Sequence, residues 1–182
     1  MDGGAWPCGV NCRRGKFSNR KRMSSEVEQA EVTEVTEVTI NDYKRAFEMS
    51  IPIRWGDMDA FGHVNNTVYF RYMEQVRISW FESIGIMGGA DQGQGPVIVN
   101  ASMEFLRQLH YPGDVIGTMS VGKPGRSSFD TGFELRRADD PGALYARGAA
   151  RCVWIDYAAG RSVPLPERLR ALLEQPHFVS AR

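Results

Sequence analysis

One stretch, residues 51–84 (IPIRWGDMDAFGHVNNTVYFRYMEQVRISWFESI), limits the folds open to this chain more than any other. It reads as a strand that ends in a tight acidic turn and runs straight into a long helix. Phe47, Met49, Ile51, Ile53 and Trp55 take alternate positions, with Glu48, Ser50 and Arg54 between them. Period-two alternation predicts a strand with one buried face. Pro52 has no backbone donor, which places it at an edge or a bulge. On the helix, Val64, Val68, Tyr72 and Val76 recur every four residues, joined by Tyr69, Met73, Trp80, Phe81 and Ile84. That set is wider than the ~100° stripe of a surface helix, so the helix calls for a covering sheet. Gly85 supplies its C-terminal stop.

The turn Gly56-Asp57-Met58-Asp59-Ala60-Phe61-Gly62-His63 carries the chemistry. Two carboxylates, an imidazole and the amides of Asn65 and Asn66 crowd the start of a helix, where unpaired N–H groups and a partial positive charge favour an anion. A carboxylate facing such donors is the minimum for attack on a carbonyl carbon: it activates water or attacks directly, and the N–H groups hold the oxygen that becomes negative. Asp and Asn at a helix start also serve as plain caps, each contributing about 1 kcal/mol.

The string RWGDMDAFGHVNNTVYFRYMEQVR resembles the signature of hotdog-fold acyl-CoA thioesterases of the 4-hydroxybenzoyl-CoA thioesterase branch. The likeness continues through PVIVNASMEFLRQLHYPGDVI, the turn at 125–129 and the segment ending in WIDYAAGRSVPLPERL, covering about residues 44–175. It implies an α+β fold, an antiparallel sheet wrapped around a long central helix, for a domain over residues 44–178.

In that family the second Asp of the D-x-D turn is the catalytic carboxylate, here Asp59 rather than Asp57, acting as general base or as nucleophile. Asp57 has the plainer role of a turn or cap, with Arg54 as charge partner. The resemblance sets the thioester carbonyl at the start of the helix, near the N–H groups of Asn65 and Asn66. His63 is placed to touch substrate or orient Asp59, with capping as its alternative, and Tyr69 is implied as a substrate contact. Another branch of the fold draws its carboxylate from the central helix, which makes Glu74 the competing candidate. The simpler reading of Glu74 is a salt bridge to Arg71 or Arg77, three residues away. Arg126, Ser127 and Ser128 match a family turn near the pantetheine and nucleotide, where Arg126 and Lys123 would pair with phosphates.

The expected activity is hydrolysis of an acyl-CoA or acyl-carrier-protein thioester, with no metal or redox cofactor. Two rivals are a non-catalytic acyl-CoA-binding module of the same fold and a hydratase or dehydratase. The latter needs a His paired with a carboxylate across the acyl chain, and no matching His motif is found. One such sheet leaves an edge strand uncovered, and a homodimer or a tetramer of dimers would close it.

The rest of the chain narrows the class. Twenty-two Lys and Arg balance twenty-two Asp and Glu, so nothing points to nucleic acid. Cys8, Cys12 and Cys152 are scattered, and no second Cys or His pair follows Cys8 and Cys12, which argues against zinc. This usage fits a reducing, cytoplasmic setting, and no run approaches the ~18 apolar residues of a membrane span. Residues 1–43 read as a disordered extension, basic from Arg13 to Arg22 and acidic from Met23 to Asp42. Met23 is the expected true start, with 1–22 an upstream artefact. Beyond the helix come a Gly-rich loop at 87–95 and four alternating segments. The first has Val97, Val99, Ala101, Met103 and Phe105 on one face. The last has a small face of Ala146, Gly148, Ala150 and Cys152, suited to a close approach. A closing helix spans 164–175.

Overall fold

The computed structural model describes residues 43–86 and 93–181. The N-terminal extension, with Cys8, Cys12 and Met23, and most of the Gly-rich loop lie outside those residues. The elements run β1 (Lys44–Pro52), a 3-10 turn (Trp55–Asp57), α1 (Asn66–Ser83), β2 (Gln94–Phe105), β3 (Asp114–Val121), β4 (Ser128–Arg137), β5 (Ala146–Asp156), β6 (Arg161–Ser162), α2 (Glu167–Glu174) and β7 (Val179–Ala181). The strands form one sheet in the order β2-β5-β4-β3-β1-β7, with β6 beside β5. All pairings are antiparallel except β7 on β1. This is the α+β hotdog arrangement, a sheet around one long helix. No helix among the described residues is long and apolar enough to cross a membrane.

The core lies between α1 and the inner face of the sheet. Tyr69, Met73, Val76 and Trp80 on α1 are buried together with Phe47 of β1, Val115 and Met119 of β3, Phe129, Phe133 and Leu135 of β4, and Ala146, Ala150 and Cys152 of β5. Leu169 and Leu173 close it from α2. The helix packs against β3 more closely than against the small face of β5. A Cβ built on Gly117 would stand 2.5 Å from Cγ2 of Val76, which is itself fully buried. Gly117→Val therefore overpacks the helix–sheet contact, and we expect a loss of about 1–3 kcal/mol, read as a lower thermal midpoint.

Two stretches depart from simple alternation. β1 bulges between Arg45 and Phe47, so Ala46 and Phe47 are both buried. Its alternation stops at Ile53, because Trp55 falls in the 3-10 turn and is 78% exposed. β2 bulges between Ile98 and Asn100. A bulge adds a residue and reverses the faces beyond it, so Ile98, paired with Cys152, shares the helix side with Ala101, Met103 and Phe105, whereas Val97 pairs with Val153 on the outer side. Pro52 sits where β1 pairs with β3 alone, since β7 reaches only Phe47–Met49.

Candidate active site

The segment between β1 and α1 is fixed almost residue by residue. Ile53 donates to Gly113 O (2.9 Å). The 3-10 turn then closes on Asp57, whose Oδ2 accepts the Arg54 N–H and the Tyr72 hydroxyl, each at 2.8 Å. Burial and this carboxylate push the Tyr72 phenol well above its ordinary range, so it remains a donor. Asp57 O also accepts the Asn65 N–H (2.9 Å). Asp57 is thus a staple between turn and helix, and its charge partner is a phenol and a backbone N–H rather than the Arg54 guanidinium.

Asp59 begins the next turn. Gly62 N donates to Asp59 O (3.1 Å), Asp59 N donates to His63 O (2.9 Å), and Met58 bridges Val64. Gly62 has φ +84°, a conformation that glycine adopts without strain. Asp59 Oδ1 accepts the Phe61 N–H (2.8 Å), as an Asx turn requires, and Oδ2 lies 3.5 Å from His63 Nδ1. The Asp59 side chain is only 18% exposed. His63 stands beside it and stacks on Phe61, which is 84% exposed.

At the start of α1 the capping is nearly complete. Asn65 is the N-cap: its Oδ1 accepts from Thr67 N (3.0 Å) and Thr67 Oγ1 (2.7 Å), and its carbonyl accepts from Val68 N (2.9 Å). The N–H groups of Asn65, Thr67 and Val68 are therefore committed. Asn66, the first residue of α1, is exposed, and its N–H has no acceptor among the described residues. Of the donors expected near Asn65 and Asn66, the one at Asn66 alone is free to meet a ligand.

A second segment, 107–113, clamps this turn. Val64 N donates to Leu109 O (2.8 Å), and Tyr69, buried in the core, accepts from Leu109 N (3.0 Å). The Tyr69 hydroxyl is used here as a support. His110 Nδ1 lies 3.0 Å from Gly62 O, and Arg137 donates to the carbonyls of His110 and Pro112 while pairing with Asp139. Sequence reading did not find His110 or Arg137. His110 meets Gly62 from 48 residues away and Arg137 supports His110 from 27 residues away, and the 110–114 stretch reads locally as an ordinary turn.

The remaining candidates lie elsewhere. Glu74 is exposed on another side of α1, beside a cleft of about 480 Å³ that it shares with Asp57, Arg71 and Tyr72. The salt bridge expected from Glu74 to Arg71 or Arg77 does not form. Arg126, Ser127 and Ser128 lie beyond the other end of β3, roughly 23 Å away for an eight-residue strand. Their backbone is held by Leu165, Trp154 and Arg170, and the Arg126 guanidinium pairs with no described residue. A single chain does not bring that turn to Asp59. Among the described residues no cluster of metal-ligating side chains forms.

The profile of the thioesterase-like superfamily matches residues 53–173, which contain every residue just described. The chain belongs to this superfamily. Its relatives include the Bacillus subtilis protein YsmA, 31% identical over 75 residues, 40% of this chain and 50% of that one. Another is the chloroplastic acyl-acyl carrier protein thioesterase ATL3 of Arabidopsis thaliana, 33% identical over 129 residues, 68% of this chain and 65% of that one. The chain thus spans half to two thirds of the length of these two relatives. Among solved structures, the PA2801 protein of Pseudomonas aeruginosa is 38% identical with a TM-score of 0.66, covering 70% of this chain and 98% of that one. As a superfamily member, the chain holds its D-x-D turn and the helix start that follows within the shared region.

Proposed function

We propose that the chain hydrolyses an acyl thioester to a free acid and a thiol, without metal or redox cofactor. Asp59 supplies the carboxylate, and the Asn66 N–H receives the thioester oxygen as it becomes negative. The observation that carries this reading is the hydrogen-bond accounting at the start of α1: capping consumes its neighbours and leaves one donor, immediately after a turn that fixes Asp59. His63, at 3.5 Å from Asp59, orients that carboxylate. The carrier is CoA or acyl-carrier protein, which present the same pantetheine thiol, and ATL3 bears the acyl-carrier name among the relatives. A cytoplasmic location belongs to the same proposal.

The working form we propose is a homodimer paired through β2. That strand has a partner, β5, on one side only, and Ile98, Val99, Phe105 and Leu106 are exposed along it, an edge that invites pairing. Antiparallel two-fold pairing would set the Phe105 end of one β2 beside the Gln94 end of the other. The partner's 126–128 turn would then lie at the Asp59 end, where Arg126 would meet phosphate and the Ser127 and Ser128 groups the pantetheine.

Thiol release from a panel of acyl-CoA and acyl-carrier-protein esters tests the activity. Release is the expected result; acyl-CoA bound without release would favour the binding module instead. Light scattering tests the assembly: twice the chain mass is expected, and Val99→Lys should yield folded monomers with at least about ten-fold lower activity. A fully active monomer would overturn the shared site.

A further inference from the structure

The fold leaves two buried donors over. Among the described residues, Arg77 Nη1 and Trp154 Nε1 are the side-chain nitrogens sealed from solvent without an acceptor. Arg77 is 7% exposed and Trp154 4%. Both border Cys152: Trp154 stands two residues further along the same face of β5, and the Arg77 guanidinium is near enough for its charge to act on the thiol. Burial pushes that thiol up to about 11, so it offers no anion. Glu74, three residues back, is exposed and makes no direct salt bridge to Arg77, although its charge favours the guanidinium's charged form. A buried donor without an acceptor is destabilising, the more so when it is charged, and no described residue supplies the missing acceptors.

The position of this pair relative to Asn66 gives it a meaning. Eleven residues separate Asn66 from Arg77, about three helical turns, so both lie on one face of α1, roughly 16 Å apart along the axis. Phe70 lies on the same stripe, partly buried. Beside it β2 turns Phe105, Met103, Ala101 and Ile98 toward the helix, and all four keep exposure. Phe105 packs edge-on against Tyr69 at a centroid distance of 5.1 Å, near the Asn66 end, and Ile98 pairs with Cys152 at the Arg77 end. An apolar strip thus starts beside the thioester position and ends at two unmatched donors.

We propose that the acyl chain lies along this strip and that Arg77 and Trp154 bind a carboxylate at its far end, so the preferred substrates are thioesters of ω-carboxy acids. An Arg side chain leans toward the helix N-terminus and shortens the span by a few Å, to the length of roughly eight to twelve carbons. A carboxylate fits better than a hydroxyl because it can accept from both donors and meets the guanidinium charge. The inference rests on the hydrolase reading only for where the thioester sits.

Calorimetry on the full chain with non-hydrolysable thioether analogues separates the two claims. The probes are an S-alkyl-CoA and an S-(ω-carboxyalkyl)-CoA of equal length. The carboxylated analogue should bind at least about ten-fold tighter. Arg77→Met should bring the ratio near one, and Trp154→Phe, which keeps a ring and removes the N–H, should lower it less. Equal or weaker binding of the carboxylated analogue to the wild-type protein would overturn the inference, and that comparison needs no variant to fold. An unchanged ratio in Arg77→Met would overturn it as well. Tight, carboxylate-dependent binding without thiol release from any ester would uphold this inference while defeating the hydrolase reading.

Discussion

Asp59→Asn should leave a folded protein whose turnover of its best thioester falls by about 10²–10⁴-fold, the usual contribution of a positioned base. That loss corresponds to about 3–5 kcal/mol of barrier. Folding should be spared because the local bonds survive the change: an amide oxygen still accepts the Phe61 N–H, and the Gly62 and His63 backbone bonds do not involve the side chain. The amide cannot take a proton from water, nor attack a carbonyl as a carboxylate does. Asp57 should behave in the opposite way. Its carboxylate is engaged by Arg54 N and the Tyr72 hydroxyl, so Asp57→Ala should cost about 1–3 kcal/mol of stability. Steady-state thiol release and a melting curve, run on both variants, read the contrast. Wild-type turnover in Asp59→Asn, with loss in Glu74→Gln, would move the catalytic carboxylate to the helix.

Asn66→Pro removes the backbone N–H together with an exposed side chain, and Asn66→Ala removes that side chain by itself. The first helical position is where proline is best tolerated, and Asn65 already has φ −59° and ψ 138°, the extended conformation that a residue before proline adopts. The cap bonds from Thr67 and Val68 to Asn65 are independent of the Asn66 N–H. Stability should therefore hardly move, while kcat falls by about 10²–10³-fold, the effect of deleting one oxyanion donor. Asn66→Ala keeps the N–H and should stay within a few-fold of wild type. If the proline and alanine variants lose the same activity, the side chain is the working group and the backbone donor is not.

The turn and helix were legible because their signals are local: alternation up to Ile53, the acidic pair, Gly62 and the run of apolar residues through Ile84 all lie within forty residues. What the sequence hid depends on partners far along the chain. No pattern marks Gly117 as the point where Val76 needs space, because the two meet only across the core. The bulge after Ile98 defeats alternation, since one extra residue in β2 moves Val97 to the outer face with no change in composition. His110 reaches the Asp59 turn, and Arg137 reaches His110, through carbonyls, which carry no residue identity for a reader of side chains to use. The restriction of the free donor to Asn66 emerges only after each neighbouring N–H has been assigned an acceptor.

Asp59 and the 126–128 turn stand at opposite ends of the strands. If one thioester needs both, specific activity becomes a function of enzyme concentration. Dilution below the dissociation constant would silence every protomer while leaving each one folded, and mixing an Asp59 variant with an Arg126 variant would restore turnover at one of the two sites of each mixed dimer. Expression level would then act as an on–off control without any effector.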